Sequence, residues 1–224
     1  MKSLKLSLIA AIAATTLVTT SVVANSGVSI SANVAATSNY VWRGMTQTNN
    51  APAVQGGIDF GYNGFYAGVW GSNISFTTEV DSTLEADFYA GYAGEFSGIG
   101  YDLGYIRYAY PKAQDSNNFD EVYLALSKDF GVASISAKYS KQVDGPTGYE
   151  KLYDIEGTIS TSLPQDIGLD LTYGKYEKNG KRVLVGLSKT YGKFDLSLAY
   201  SDFKHDTNSA SDEDHIIATI STSF

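Results

Sequence analysis

Cysteine is absent from the 224 residues. That excludes a disulfide framework, a thiolate zinc site and a cysteine nucleophile. Histidine occurs twice, which leaves little room for a histidine metal cage. Proline is scarce at 4, while glycine reaches 22 and tyrosine 17. A Tyr- and Gly-rich, Pro-poor, Cys-free chain fits a β-protein made for export better than a helical enzyme. Basic residues are also few. Removing Lys2 and Lys5 with the leader described next leaves 14 of the 16 Lys and Arg against 24 Asp and Glu, a net charge of −10. Nucleic acid is therefore excluded as a partner, because phosphate binding needs clustered cations.

Only one long apolar run exists, and it lies at the start. Lys2 and Lys5 precede Leu6 to Val18, and Val22-Val23-Ala24 puts small residues at a cleavage site. Residues 1–24 read as a secretory signal peptide, leaving Asn25 first and 25–224 as one domain. The competing reading, an N-terminal anchor, is weakened by Thr and Ser within the run and by missing stop-transfer charges. No other stretch nears the ~18 apolar residues of a membrane helix.

The rest of the chain alternates with period 2, without a helical period or a linker. The clearest case is 83–92, where Leu84, Ala86, Phe88, Ala90 and Tyr92 oppose Thr83, Glu85, Asp87, Tyr89 and Gly91. Twelve such segments are predicted, with 65–74 mixed in parity. Connections alternate between short and long. Asn63-Gly64 is a hairpin signal, 43–51 is long, and 202–214 is predicted to be the longest. A meander of this kind, with an even strand count, is the pattern of a transmembrane antiparallel up-and-down β-barrel of about 12 strands, all-β, with short periplasmic turns.

A soluble sandwich or lipocalin-like barrel also alternates, with its apolar face inward. Four features favour the membrane barrel. Many segments approach the ~10 residues that span the hydrocarbon layer. Tyr40, Trp42, Tyr62, Tyr92, Tyr139, Tyr173 and Tyr200 stand at the ends of apolar faces, where rings suit the interface. The polar faces are rich in Gly, Ser and Thr. The chain ends in Phe224, as barrels handled by the outer-membrane assembly machinery do.

The stretch Ser31 to Gly44 (SANVAATSNYVWRG), then Thr46-Gln47-Thr48, Pro52 to Gly57, Gly64 to Asn73 and Glu85 to Tyr92, resembles the TorF family of porin-like proteins of Gram-negative bacteria. Thr46 stands where that family often carries Ser. The resemblance implies an outer-membrane β-barrel; it supplies no substrate and no functional residues.

Charges on the polar faces define the candidate site. Asp59, Glu85, Asp87, Asp102, Glu121, Asp154, Glu156, Asp170 and Asp195 are predicted to point inward, with Lys138, Arg182 and, after a break in alternation, Arg107. Nine acids against three bases predict a negative lumen that selects cations. In the alternative, acids and bases pair across a filled interior. Twelve strands lie between the filled 8-stranded barrel and the open 16-stranded porin.

The expectation is thus a narrow, cation-preferring diffusion pore in the outer membrane, with no cofactor. Its partners would be lipid, lipopolysaccharide, small solutes or ions, and the assembly machinery through Phe224. The rival is a structural or adhesive barrel acting through its loops. Catalysis is disfavoured: His205 and His215 lie in or beside the last loop near Asp206, Asp212, Glu213 and Asp214, but no Ser, His and Asp or Asn set falls on one strand face, and loop histidines among carboxylates are usually just solvated. Asp206, Asp212 and Asp214, with Asp202 and Glu213, are hard-oxygen candidates for a weak divalent site, though without calcium-loop spacing. Trp42-Arg43 is read as an interfacial anchor at the outer end of strand 1, with a lipid phosphate as the other option.

Overall fold

The computed structural model describes residues 27–76, 82–112, 117–145 and 150–224. The predicted leader and its predicted cleavage site lie outside them. The alternating segments fold as twelve long strands: β1 (Ser29–Thr37), β4 (Ala53–Tyr62), β5 (Phe65–Asn73), β6 (Leu84–Phe96), β7 (Ile99–Ala109), β8 (Phe119–Asp129), β9 (Ser134–Asp144), β10 (Tyr153–Leu163), β11 (Ile167–Tyr176), β12 (Gly180–Tyr191), β13 (Phe194–His205) and β14 (Glu213–Ser223). Two short strands, β2 (Val41–Trp42) and β3 (Met45–Thr46), pair only with each other. Each long strand pairs antiparallel with its neighbours, and β1 pairs with β14, so the sheet closes into an up-and-down barrel. Phe224 completes the seam by exchanging two backbone hydrogen bonds with Ala32. Closure leaves no edge and satisfies the ladder within the ring.

Alternation sets the two faces of this wall. On β6, Leu84, Phe88, Ala90 and Tyr92 are exposed on the outside, whereas Glu85, Asp87 and Tyr89 are buried inside. The mixed segment resolves the same way. Phe65, Ala67 and Val69 of β5 point out, and Tyr66, Trp70 and Ser72 point in. A single-residue register slip would exchange the faces, so the apolar exterior fixes the register. Asn63 and Gly64 both adopt positive φ, 49° and 87°, which is the two-residue turn an antiparallel pair with right-handed twist requires.

Both termini lie at one end with turns of two to four residues, and the longer connections, with the three-residue 177–179 turn, lie at the other. We call these the turn end and the loop end. At the turn end, Phe65, Tyr92 and Tyr101 form an outward aromatic cluster, with centroids 4.8 and 6.1 Å apart. Toward the loop end, Tyr139 stacks on Tyr153 at 5.8 Å. Tyr62, Tyr173 and Tyr200 also face out.

Several expectations are corrected. The longest described connection is 38–52, because β13 and β14 extend the last pair and leave only 206–212 between them. Tyr40 and Trp42 are not interfacial. They belong to the 38–52 segment, which folds into the barrel, so Trp42-Arg43 neither anchors at the interface nor touches a lipid phosphate. Arg107 faces outward beside Tyr105, because the alternation of β7 runs unbroken to Tyr108 while the irregularity falls at Asp120/Glu121 on β8.

Candidate functional site

The segment between β1 and β4 carries Tyr40, Val41, Trp42 and Met45, too much apolar surface for a water-exposed loop. It buries them by turning inward. Arg43 and Gly44 have φ of 51° and 92° and form the tight turn joining β2 to β3. A Cβ at Gly44 would lie 2.8 Å from the Cβ of Phe203, so glycine lets this turn press on the wall. Val41 packs on Ala199 and Ile217, lumen residues of β13 and β14. Tyr40 packs on Ala53 and Ile74. Trp42 is ringed by Tyr108, Phe119 and Tyr176 at 5.7–6.2 Å. Thr48 donates to Ala51 O at 2.6 Å, and Asn39 accepts from Thr46 at 2.7 Å, which locks the segment internally.

The turn is fastened by charge. Arg43 donates both terminal nitrogens to Glu121, at 2.8 and 2.7 Å, and its Nε lies 3.6 Å from Asp154. Arg182 of β12 makes the same kind of fork with Asp154, at 2.6 and 2.8 Å, and reaches Glu156 at 2.6 Å. Two guanidinium groups and three carboxylates thus form one network on the β8–β12 wall. Burial works against the charge on Arg43, but Glu121 and Asp154 outweigh it, so its affinity for the proton rises above the ordinary value. Buried pairs of this kind fix geometry more than they add stability.

The β5–β7 wall is different. Glu85 accepts from the Tyr40 hydroxyl at 2.5 Å. Burial first, then the charges of Glu85 and Asp87, hold the Tyr40 phenol well above its usual range, so it remains a donor. Asp87 lies between Trp70 and Tyr108 in the ladder, and among the described residues neither Glu85 nor Asp87 meets a base. Among the described residues, Asp87 Oδ1 and Trp42 Nε1 are buried without a hydrogen-bond partner.

Below this level the lumen is lined by small polar groups. Thr158 and Thr172 hydroxyls meet at 2.8 Å, Ser160 donates to Asp170 at 2.5 Å and Thr190 to Asp195 at 2.6 Å. Tyr66 donates to Asp102 at 2.6 Å and meets Tyr123, while Tyr89 donates to Asp59. Lys138 Nζ rests over the Tyr123 ring at 4.5 Å. Ser134, Ser136, Thr158, Ser160, Asp170 and Thr172 remain partly accessible.

The structure therefore puts Asp59, Glu85, Asp87, Asp102, Glu121, Lys138, Asp154, Glu156, Asp170, Arg182 and Asp195 on the inner face. It joins Glu121, Asp154, Glu156 and Arg182 through Arg43, which sequence reasoning placed outside. It also adds tyrosines 66, 89, 108 and 123, whose signal was an aromatic on the polar parity.

His205 and His215 are not solvated loop residues: both sit on strands facing the lumen. His215 is buried between Glu213, at 2.8 Å, and Asn39, at 3.3 Å. The acids at this end diverge, with Asp202 and Asp214 outward and Glu213 inward. Asp212 accepts from the His205 amide at 2.8 Å. Among the described residues no three His, Asp or Glu side chains converge as metal ligands.

A family model described as a bacterial protein of unknown function (Gcw_chp) matches residues 21–219. No curated protein matches the sequence. Among solved structures, a KdgM porin in complex with disordered oligogalacturonate is similar over 87% of this chain and 97% of its own, with 16% identity and a TM-score of 0.57. A NanC porin is similar over 88% and 99%, with 10% identity and a TM-score of 0.54. Outer-membrane phospholipase A from Escherichia coli is similar over 86% and 89%, with 11% identity and a TM-score of 0.50. Identities this low establish the fold alone: the barrel architecture of outer-membrane porins.

Proposed function

The chain belongs to the Gcw_chp family of bacterial proteins of unknown function, and from that premise we propose that it is a porin-like channel of the outer membrane. In this reading it is exported through a cleaved leader, the turn end faces the periplasm, and the likeness to TorF porins is one of kind as well as of sequence. One observation carries the proposal. A closed wall is apolar outside and polar inside, and its turn half is lined by accessible Ser, Thr and Asp side chains. The inward 38–52 segment is the constriction.

The lumen carries more acids than bases. Arg43 and Arg182 are spent on Glu121, Asp154 and Glu156, and Lys138 rests on Tyr123, so Asp59, Asp102 and Asp170 keep a negative field. Within about a Debye length, ~8 Å at physiological salt, that field enriches cations. Planar-bilayer recordings in a potassium chloride gradient test this. The expected reversal potential favours potassium, and Asp59→Asn with Asp170→Asn moves it toward zero. A potential favouring chloride, or one unmoved in the double variant, overturns the cation preference.

The second reading is a non-conducting barrel acting through its loops, and the burial of Tyr40, Val41 and Thr48 favours it. Absence of conductance in the parent would select it. A phospholipase-like activity finds no support in the geometry: both histidines face the lumen, away from lipid.

A further inference from the structure

Basic residues are spread unevenly over the outside of the wall. Of the 14 beyond the leader, Lys141, Lys151, Lys175, Lys178, Lys181 and Lys204 lie at the loop end of the arc from β9 to β13. Three of them form a row. Lys175 stands opposite Lys181 across β11 and β12, and Lys181 opposite Lys204 across β12 and β13. Their neighbours Gly174, Arg182 and Phe203 face the lumen, so the three lysines face out. One row toward the turn end stand Tyr173, Val183 and Asp202, and the next row is Leu171, Val185 and Tyr200. The lysines therefore cap the apolar band at the level where headgroups begin. On the far arc the corresponding outward positions, Val54, Asn73, Leu84 and Ala86, carry no charge.

Like charges directly opposite in a sheet repel. Lys204 is relieved by Asp202 at 3.0 Å and Asp212 at 3.6 Å. Lys178 is held by Glu150, and the ammonium groups of Lys141 and Lys151 donate to backbone carbonyls. Lys175 and Lys181 have no acidic partner among the described residues. Two neighbouring ammonium groups, unpaired and at headgroup level, make a site for an anion.

We propose that Lys175 and Lys181 clamp a phosphate of an outer-leaflet lipid headgroup, making the β11–β12 arc a lipid-docking strip. This rests on the reading of the chain as an outer-membrane barrel with its loop end outward. Each ammonium offers three donors, and a phosphate dianion can accept from both. The four-carbon stems lie along Tyr173 and Val183 while the charged heads reach the headgroup layer. Asp202 and Asp214 repel the phosphate from β13–β14 and confine it to β11–β12.

Native mass spectrometry of the folded barrel in detergent tests this, with lipid A carrying two, one or no phosphates as the probe. Retention should follow phosphate number. It should fall about 30-fold in Lys175→Gln/Lys181→Gln and about 5-fold in either single variant. Lys128→Gln/Lys189→Gln, at the turn end, should retain lipid like the parent. Inorganic phosphate at millimolar concentration should neither bind nor displace the lipid.

Equal retention by the two double variants overturns the proposal. So does retention independent of phosphate number, or displacement by inorganic phosphate. Gel mobility before and after heating reports whether each variant is folded, and the single variants carry the test if the double variant is not. A parent that retains the lipid but does not conduct would sink the pore reading alone; a parent that conducts without phosphate preference would sink only the lipid site.

Discussion

The loop half and the turn half of the lumen share the same twelve strands but hold different contents. The loop half is packed: Tyr40, Val41 and Thr48 are sealed inside, and Arg43 is gripped by Glu121 and Asp154. The turn half is lined by short hydroxyl side chains and by carboxylates bonded to tyrosine or serine, several of them accessible. No feature of the wall's alternation separates the two. What separates them is one apolar segment between β1 and β4 that finds its burial inside the barrel. Strand number thus sets how wide the barrel is, while a loop sets how much of that width is left.

The sharpest way to break this comparison is to unfasten the segment. Replacing Arg43 with Met leaves Glu121 buried without its partner and should cost about 3–5 kcal/mol. The wall has its own ladder, so the loss should fall on seating of the segment. Single-channel conductance should rise, and the loop half should come to resemble the turn half. Conductance equal to the parent's would mean that the segment does not lie in the path.

A slightly smaller effect should mark the outer face. Ala90 lies outward near the middle of β6, opposite Ala67 and Tyr105. Ala90→Arg should destabilise the folded barrel by about 2–4 kcal/mol in a lipid-based unfolding titration. Ala86 is only two residues from the loop end of the same strand, so its substitution by Arg should cost about 0–1 kcal/mol. Equal costs would contradict the depth assigned to β6. From alternation over 83–92 alone, Ala86 passes for the strand centre. The structure moves the centre to Ala90, because β6 extends to Phe96.

The smallest effect is expected in the turn half. Thr158→Val removes one hydroxyl from a pair that water can replace, which should cost about 0.5–1.5 kcal/mol at most. Conductance should change little, since the proposed constriction lies in the loop half. A large drop in conductance would relocate the narrowest point to the turn half.

Much of the fold was legible because a wall between lipid and water must alternate. Period 2 over segments such as 83–92 and 194–200 fixed the strands, the short turns and the side on which Asp59, Glu85, Asp102 and Asp170 lie. Arg107 was misjudged because its strand ends at a rim, where a charge on the apolar parity can reach polar surroundings. The 38–52 segment was misjudged for a deeper reason. Tyr40, Trp42 and Arg43 have the composition of an interfacial anchor, and composition cannot distinguish the rim outside from the lumen inside.

The sequence by itself determined the class of wall, its strand number and the polarity of its two faces, because those follow from local periodicity and turn chemistry. Only the tertiary structure decided which acids are neutralised. Arg43 is 78 residues from Glu121, and Arg182 is 28 from Asp154. The register of β10–β12, in which Arg182 reaches over Gly174, and the inward fold of the 38–52 segment put them in one network, while Glu85 has the Tyr40 hydroxyl and, among the described residues, neither Glu85 nor Asp87 has a base. Such pairing depends on strand register and on where a loop folds, and no local pattern records either.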